Sequence, residues 1–290
     1  MYETKIKEDE LIPATFDPIF KALLTSNETK DYASSLISGI TNIPKNIIKD
    51  NMVILNNELS VENYKDKKMK TDILIEIVNN IVNIEINKYY YKGLFEKNSA
   101  YQNKILSEQF YSGKDYSDSK KIIQINFDEF ECFDDRVIIK FLMMDPKRGM
   151  LESTNLEKYH VILPNLKKKC YNEAKLSKFE KELLLLIENN YDKLKSLVGD
   201  DKELMKAVEK REKLSKDKKI IGLYDGEKME AYERNARLSY AEEIGLKKGM
   251  EKGMEKGIEK VAKNMLAKGI SDELIISCTN LSLEELEALK

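Results

Sequence analysis

Residues 71–88, TDILIEIVNNIVNIEINK, constrain this chain more than any other stretch. Ile73, Ile75 and Ile77 alternate with polar or bulky neighbours, Asn79-Asn80 interrupts the run, and Ile84 and Ile86 resume it. That period of two predicts two strands joined by a tight turn, and Asn tolerates the positive φ such a turn needs. With Asn79 and Asn80 as the loop, the cross-strand pairs are Val78–Ile81, Glu76–Asn83, Leu74–Glu85 and Asp72–Asn87. The isoleucines then share one face, and Asp72, Glu76, Asn83, Glu85 and Asn87 share the other. Asp72 and Glu85 become diagonal neighbours, roughly 7–8 Å apart at the backbone. Two carboxylates and an amide on one face can hold a hard divalent ion through oxygen. A one-residue slip would scatter them to opposite faces. The same spacing also describes a half-solvated hairpin with its polar residues outward.

The rest of the composition narrows the setting. The chain has 290 residues, 42% hydrophobic and 34% charged, enough for a buried core in one large or two smaller units. A net charge of −2 and a pI near 5.9 give no overall basic field, so any DNA-binding surface must be local. Lys65, Lys67, Lys68 and Lys70, and Lys167, Lys168 and Lys169, are the candidates for it, or else solvated faces. Cys132, Cys170 and Cys278 are odd in number and far apart, which suits neither a disulfide framework nor a zinc site. With His160 the single histidine, a multi-histidine metal site is excluded for one chain. No apolar run approaches a membrane span, and a reducing cytoplasm is the expected location.

Along the chain, residues 1–12 are charged and expected to be loosely ordered. Thr15 or Asp17 can cap a first helix with Pro18 in its first turn. A second helix spans about 29–40 and a strand about 52–59. After the hairpin, 93–111 is helical, with Leu94, Tyr101, Ile105 and Phe110 facing inward, and 121–127, 137–143 and 159–163 read as strands. This order predicts a mixed sheet flanked by helices. From Leu176 on the period is helical, with a hinge at Gly222 to Gly226. Gly245, Gly249, Gly253 and Gly257 recur every four residues beside Met250, Met254 and Ile258. Each glycine costs a helix about 1 kcal/mol against alanine, so this segment is either a helix made firm by pairing or a floppy tail. Ser271 caps the next helix, and Ser282 with Glu285 forms a capping box for the last. The pair resembles a small helix-turn-helix, but Glu284, Glu285 and Glu287 carry the wrong sign for phosphates, which points to protein contact.

An ordered set of motifs now stands out. It comprises Phe16-Asp17-Pro18-Ile19-Phe20-Lys21, Asp72, Glu85-x-Asn87, Tyr101-Gln102-x-Lys104 and Ile123-Gln124-Ile125-Asn126-Phe127. Together they resemble the PD-(D/E)XK nuclease family transposases, the Rpn recombination-promoting nucleases, whose tails the glycine repeat and the capped terminal helices also resemble. The resemblance implies an α/β fold, a restriction-endonuclease-like core with a mixed central sheet flanked by helices, followed by an all-helical C-terminal region. The divisions implied are a nuclease-like domain at 13–165, a helical region at 166–224 and a charged helical tail at 225–290. It implies cleavage of DNA phosphodiesters with Mg²⁺, Mn²⁺ being a possible substitute. By motif position, Asp72 and Glu85 are metal ligands, the Ile86 carbonyl a third, and Asp17 the acid that contacts the metal or its water. The family's usual Lys or Gln is here Asn87, a neutral amide that can hydrogen-bond the attacking water but not deprotonate it. Lys88 falls on the opposite face, and Gln102 or Lys104 could supply a compensating polar head. A homodimer or higher oligomer through the tail completes the expectation. Its rivals are a catalytically silent nuclease-fold protein that binds DNA or protein, and an oligomerising scaffold.

Overall fold

The computed structural model describes residues 9–59, 69–113, 115–152, 155–172 and 175–289. The chain divides into two compact units, Met1–Tyr224 and Asp225–Lys290. The first begins with helices α1 (Asp17–Thr25), α2 (Lys30–Thr41) and α3 (Lys45–Asn51), then strands β1 (Met52–Ile54), β2 (Ile73–Ile77) and β3 (Asn80–Asn87). Helix α4 (Leu94–Ser107) crosses over to β4 (Lys121–Asp128), followed by β5 (Ile138–Phe141) and β6 (Leu156–Ile162). Helices α5 (Leu163–Asn172), α6 (Lys178–Ile187), α7 (Tyr191–Val198) and α8 (Lys202–Ser215) close the unit.

Among the described residues the strands form one sheet in the order β1-β2-β3-β4-β6-β5. β3, β4 and β6 run parallel, while β1, β2 and β5 are antiparallel to their neighbours. The mixed sheet flanked by helices is thus as the sequence pattern predicts. Its central strand β4 is buried along nearly its whole length, as a strand covered on both faces must be. On one face Ile73, Ile75, Val82, Ile84, Ile125 and Phe127 join the main core with α1, α2, α6 and α8. The other face is graded. Leu74, Ile81 and Ile122 meet Ile105 of α4 in a small second core. Farther along the strands it turns polar, with Asn83, Glu85, Asn87, Gln124, Asn126, Asp128 and His160 all buried.

Several expectations need correction. The hairpin turn is Val78-Asn79, because Ile77 pairs with Asn80 and Val78 takes φ 50°. The register therefore moves by two residues. A shift of two keeps each side chain on its face, so the polar and apolar sets survive, but the partners change. The polar face is also not half-solvated, since α4 covers it. The strand expected at 52–59 keeps only Met52–Ile54, and α3 was not anticipated. Phe16, not Thr15 or Asp17, holds the N-cap position of α1. The approach to α1 is firmly held: Leu11 N–H donates to Asn189 O (2.7 Å) and Ile12 N–H to Ser215 Oγ (3.1 Å). Lys65, Lys67 and Lys68 lie outside the described residues.

Gly39 of α2 faces Phe179 of α6, and a Cβ added there would sit 2.2 Å from two ring carbons. Gly39→Ala is therefore expected to cost about 1–3 kcal/mol through overpacking, despite alanine's better helix propensity. Urea denaturation followed by circular dichroism checks this. An unchanged midpoint would mean that the ring swings aside freely.

Helix α9 (Lys218–Ala267) begins in the first unit and runs into the second, where α10 (Asp272–Thr279) and α11 (Leu283–Glu287) follow. Gly222 and Gly226 lie inside this helix, on either side of the boundary between the two units. A Cβ at Gly245, Gly249, Gly253 or Gly257 would meet nothing within 4 Å. Ala262, Ile275 and Leu286 make a small core, with Ile270 and Leu281 packed against it. Ser282 forms the expected capping box with Glu285, whereas Ser271 holds its N-cap position without a side-chain bond.

Candidate active site

Continuing the β2–β3 register one residue past Ile73↔Ile84 sets Asp72 directly across from Glu85, closer than the diagonal placement expected. The two are tied reciprocally. Asp72 N–H donates to Glu85 Oε1 (3.2 Å), and Ile86 N–H donates to Asp72 Oδ2 (2.8 Å). Each carboxylate is thus aimed by the other residue's strand and not by a flexible partner. The pair sits where β2 has not yet begun and β3 is about to end, at the carboxyl end of a parallel strand, the usual place for a site in such sheets.

Above this pair lies the first turn of α4. Gly93, at φ 94°, takes the N-cap position in a left-handed conformation that suits glycine, and turns the chain back across the sheet. Lys97 follows one turn later, its Nζ 3.3 Å from Glu85 Oε2 and 4.9 Å from the centre of the Tyr101 ring. Asp17, in the first turn of α1, is half exposed and pairs with Lys21 at 2.8 Å.

The electrostatics show unbalanced negative charge. Glu85 is pushed up to about 7, first by burial and then by the charge of Asp72, with Lys97 and the Asp72 amide opposing. Asp72 is also raised, by burial and further by Asp17, against the Ile86 hydrogen bond, Lys21 and Lys97. Burial works against the charge of Lys97, yet Glu85 and Tyr101 hold its pKa above the ordinary lysine value. The acidic pair thus also feels the charge of Asp17 from α1, which Lys21 offsets, while Lys97 bonds Glu85.

The other expected residues lie elsewhere. Asn87 shares the face of Glu85, but its Nδ2 donates to Asp128 Oδ1 (2.8 Å), and Asp128 Oδ2 lies 2.7 Å from His160 Nδ1. Gln102 Nε2 donates to Glu157 O (2.9 Å), and Lys104 pairs with Glu108 at 3.8 Å. Neither of these is brought to Glu85. Lys88 does fall on the opposite face, over the Phe16 ring at 5.7 Å. The cation that does reach Glu85 is Lys97, which the sequence reading passed over. The signal was present, because Lys97, Tyr101 and Lys104 share a helix face at i, i+4 and i+7.

Among the described residues no group of three or more His, Cys, Asp or Glu side chains forms a ready metal cluster. The donors available are the carboxylates of Asp72 and Glu85 and the backbone oxygen of Ile86. Such a set fits a small hard ion that keeps several waters and takes one or two carboxylates, and it does not fit a soft metal.

A family model described as PD-(D/E)XK nuclease family transposase matches residues 14–241, which include the whole of this site. The chain belongs to that family. A second model, the Rpn/YhgA-like nuclease family C-terminal HTH domain, matches residues 255–290. No curated protein matches the sequence. The second match agrees with the resemblance of the terminal helices of this PD-(D/E)XK family member to a helix-turn-helix. No helix among the described residues is long and apolar enough to cross a membrane, and Cys132, Cys170 and Cys278 form no disulfide among the described residues.

Proposed function

We propose that this chain is a divalent-metal-dependent DNA endonuclease that hydrolyses phosphodiester bonds. Mg²⁺ is the ion and Mn²⁺ a substitute; Asp72 and Glu85 are the acidic ligands, and the Ile86 carbonyl is a third. The observation that carries this reading is the pair of carboxylates set opposite each other, each tied to the other residue's strand by a backbone N–H. When bound, the ion supplies Lewis-acid polarisation of the phosphate and a lowered pKa for a bound water.

The protein's own groups do the rest. The reciprocal backbone bonds fix both carboxylates before any ligand arrives, which removes a reorganisation cost from the reaction. Lys97 is a protonated donor beside Glu85, placed to bind a non-bridging phosphate oxygen and offset charge developing on it. It takes the part that the amide of Asn87, held by Asp128, does not. Asn87 then positions the end of β3, and Asp17 adds negative charge from α1. Gln102 orients α4 against β6. DNA is the partner of the nuclease unit and of the helix-turn-helix, and pairing of copies through the glycine face of α9 belongs to the same reading.

Supercoiled plasmid provides the test. Wild type is expected to nick it with Mg²⁺ or Mn²⁺ and not in EDTA. Asp72→Ala should lower the rate at least a hundredfold, and Lys97→Ala at least tenfold, with folding intact by circular dichroism. Metal-dependent nicking by folded Asp72→Ala at the wild-type rate would remove this site from the mechanism. Absence of nicking by wild type would leave a DNA-binding module of nuclease fold.

A further inference from the structure

Helix α4 also borders a space other than the one around Glu85, with Gln102 in its lining. There a cavity of about 590 Å³ opens between α4, β5 and β6, lined by Phe95, Ser99, Phe133, Phe141, Met143 and Lys158 among others. That volume lies in the range of small-molecule sites.

Three observations single it out. The first is Lys158, which is half-buried and donates from Nζ to Ser99 Oγ (2.6 Å). Among the described residues no carboxylate pairs with it, and burial lowers its pKa. Asp128 pairs with His160, and Glu157, the neighbour of Lys158 in β6, pairs with Lys121 and Lys140. A half-buried cation without a counter-charge is costly unless an anion joins it. The second is Phe133, a bulky residue held at φ 65° with its ring half exposed. Left-handed backbone at such a residue is strained, and such strain clusters at ligand sites. The third is a continuous run of rings. Tyr90 contacts Phe95, Phe95 stacks on Phe133 at 5.0 Å, and Phe133 meets Phe141 at 4.9 Å. Phe95, Phe133 and Phe141 all wall His160, which Asp128 holds in place.

Exposed ring faces beside an uncompensated cation select an aromatic anion, and a nucleotide has both properties. The run begins at Tyr90, three residues after β3, the strand that carries Glu85. Resting on the nuclease reading, we propose that this cavity binds one unpaired nucleotide of a DNA strand, its base against Phe133 and Phe141 and its phosphate on Lys158. The nuclease would then favour DNA with a single-stranded segment over uninterrupted duplex.

Fluorescence anisotropy with the full chain in EDTA tests this without requiring cleavage. A labelled twenty-nucleotide oligothymidylate should bind more tightly than a blunt duplex of equal length. Phe141→Ala and Lys158→Gln should each weaken strand binding roughly 10- to 100-fold. In the wild type, a strand carrying 5-iododeoxyuridine should photo-crosslink to peptides containing Phe133, Phe141 or Met143, a result independent of any variant's folding. Wild-type strand affinity in both pocket variants, or crosslinks confined to other peptides, would overturn the proposal. Deoxythymidine monophosphate that binds as tightly as the strand would overturn the assignment to a strand. Failure of wild type to nick plasmid overturns the nuclease reading and leaves the binding result to be judged alone.

Discussion

Glu85→Gln is expected to abolish metal-dependent nicking while making the metal-free protein more stable at pH 8. The two effects share one cause. Glu85 is buried against Asp72, and its pKa is raised from 4.5 to about 7 by burial and that neighbouring charge. A carboxyl that holds its proton more tightly when folded contributes stability in full below pH 4.5, and that contribution is lost as pH rises through about 7. By pH 8 the charged form gives up on the order of 3 kcal/mol. Glutamine keeps the shape and the acceptor for the Asp72 N–H but carries no charge, and Lys97, partly exposed, can turn to water. Thermal unfolding in EDTA should therefore show wild type weaker at pH 8 than at pH 5, and the variant nearly flat across that window. Adding Mg²⁺ at pH 8 should raise the wild-type transition and leave the variant's unmoved, because an ion stabilises only the state that binds it. A variant less stable than wild type at pH 8 would show that the pair is not in electrostatic conflict.

Replacing Arg211 should produce the largest loss of stability. The side chain of α8 is fully buried, and Nε donates to Ile12 O (2.9 Å). Nη1 donates to Leu185 O (2.9 Å) and Glu188 O (2.6 Å), and Nη2 to Asn189 Oδ1 (2.5 Å). One guanidinium thus joins the segment before α1, the end of α6 and the loop beyond it. Arg211→Ala leaves these buried acceptors unmet and opens a void, for an expected cost of about 3–5 kcal/mol. Arg211→Lys should recover only part of this, since an ammonium cannot span the same fork. Urea midpoints measured on all three proteins decide the matter. A loss under about 1 kcal/mol for the alanine variant would mean that water replaces the guanidinium at little cost.

Much of the site was legible because strand alternation is a local property. Isoleucines at every second position put Asp72, Glu85 and Asn87 on one face for any turn that keeps the isoleucines together, and the structure preserves that parity although the turn is Val78-Asn79 and not Asn79-Asn80. The mixed sheet, the helices from Leu176 on and the box at Ser282 were equally local readings. Lys97 was harder, since which helical residue reaches a carboxylate depends on where Gly93 turns the chain and how α4 crosses the sheet. Gln102 and Lys104 had the right chemistry, but they face β6 and Glu108 instead.

Pattern and residue type alone therefore determined the acidic pair, its shared face and the family to which the chain belongs. Only the tertiary structure decided that the pair stands directly opposed and buried, that Asn87 serves Asp128, and that Lys97 and Arg211 complete distant contacts. Parity along a strand repeats every two residues and can be read in one dimension. Burial, charge balance and contacts across 12 residues in one case and 199 in another exist only once the chain has closed on itself.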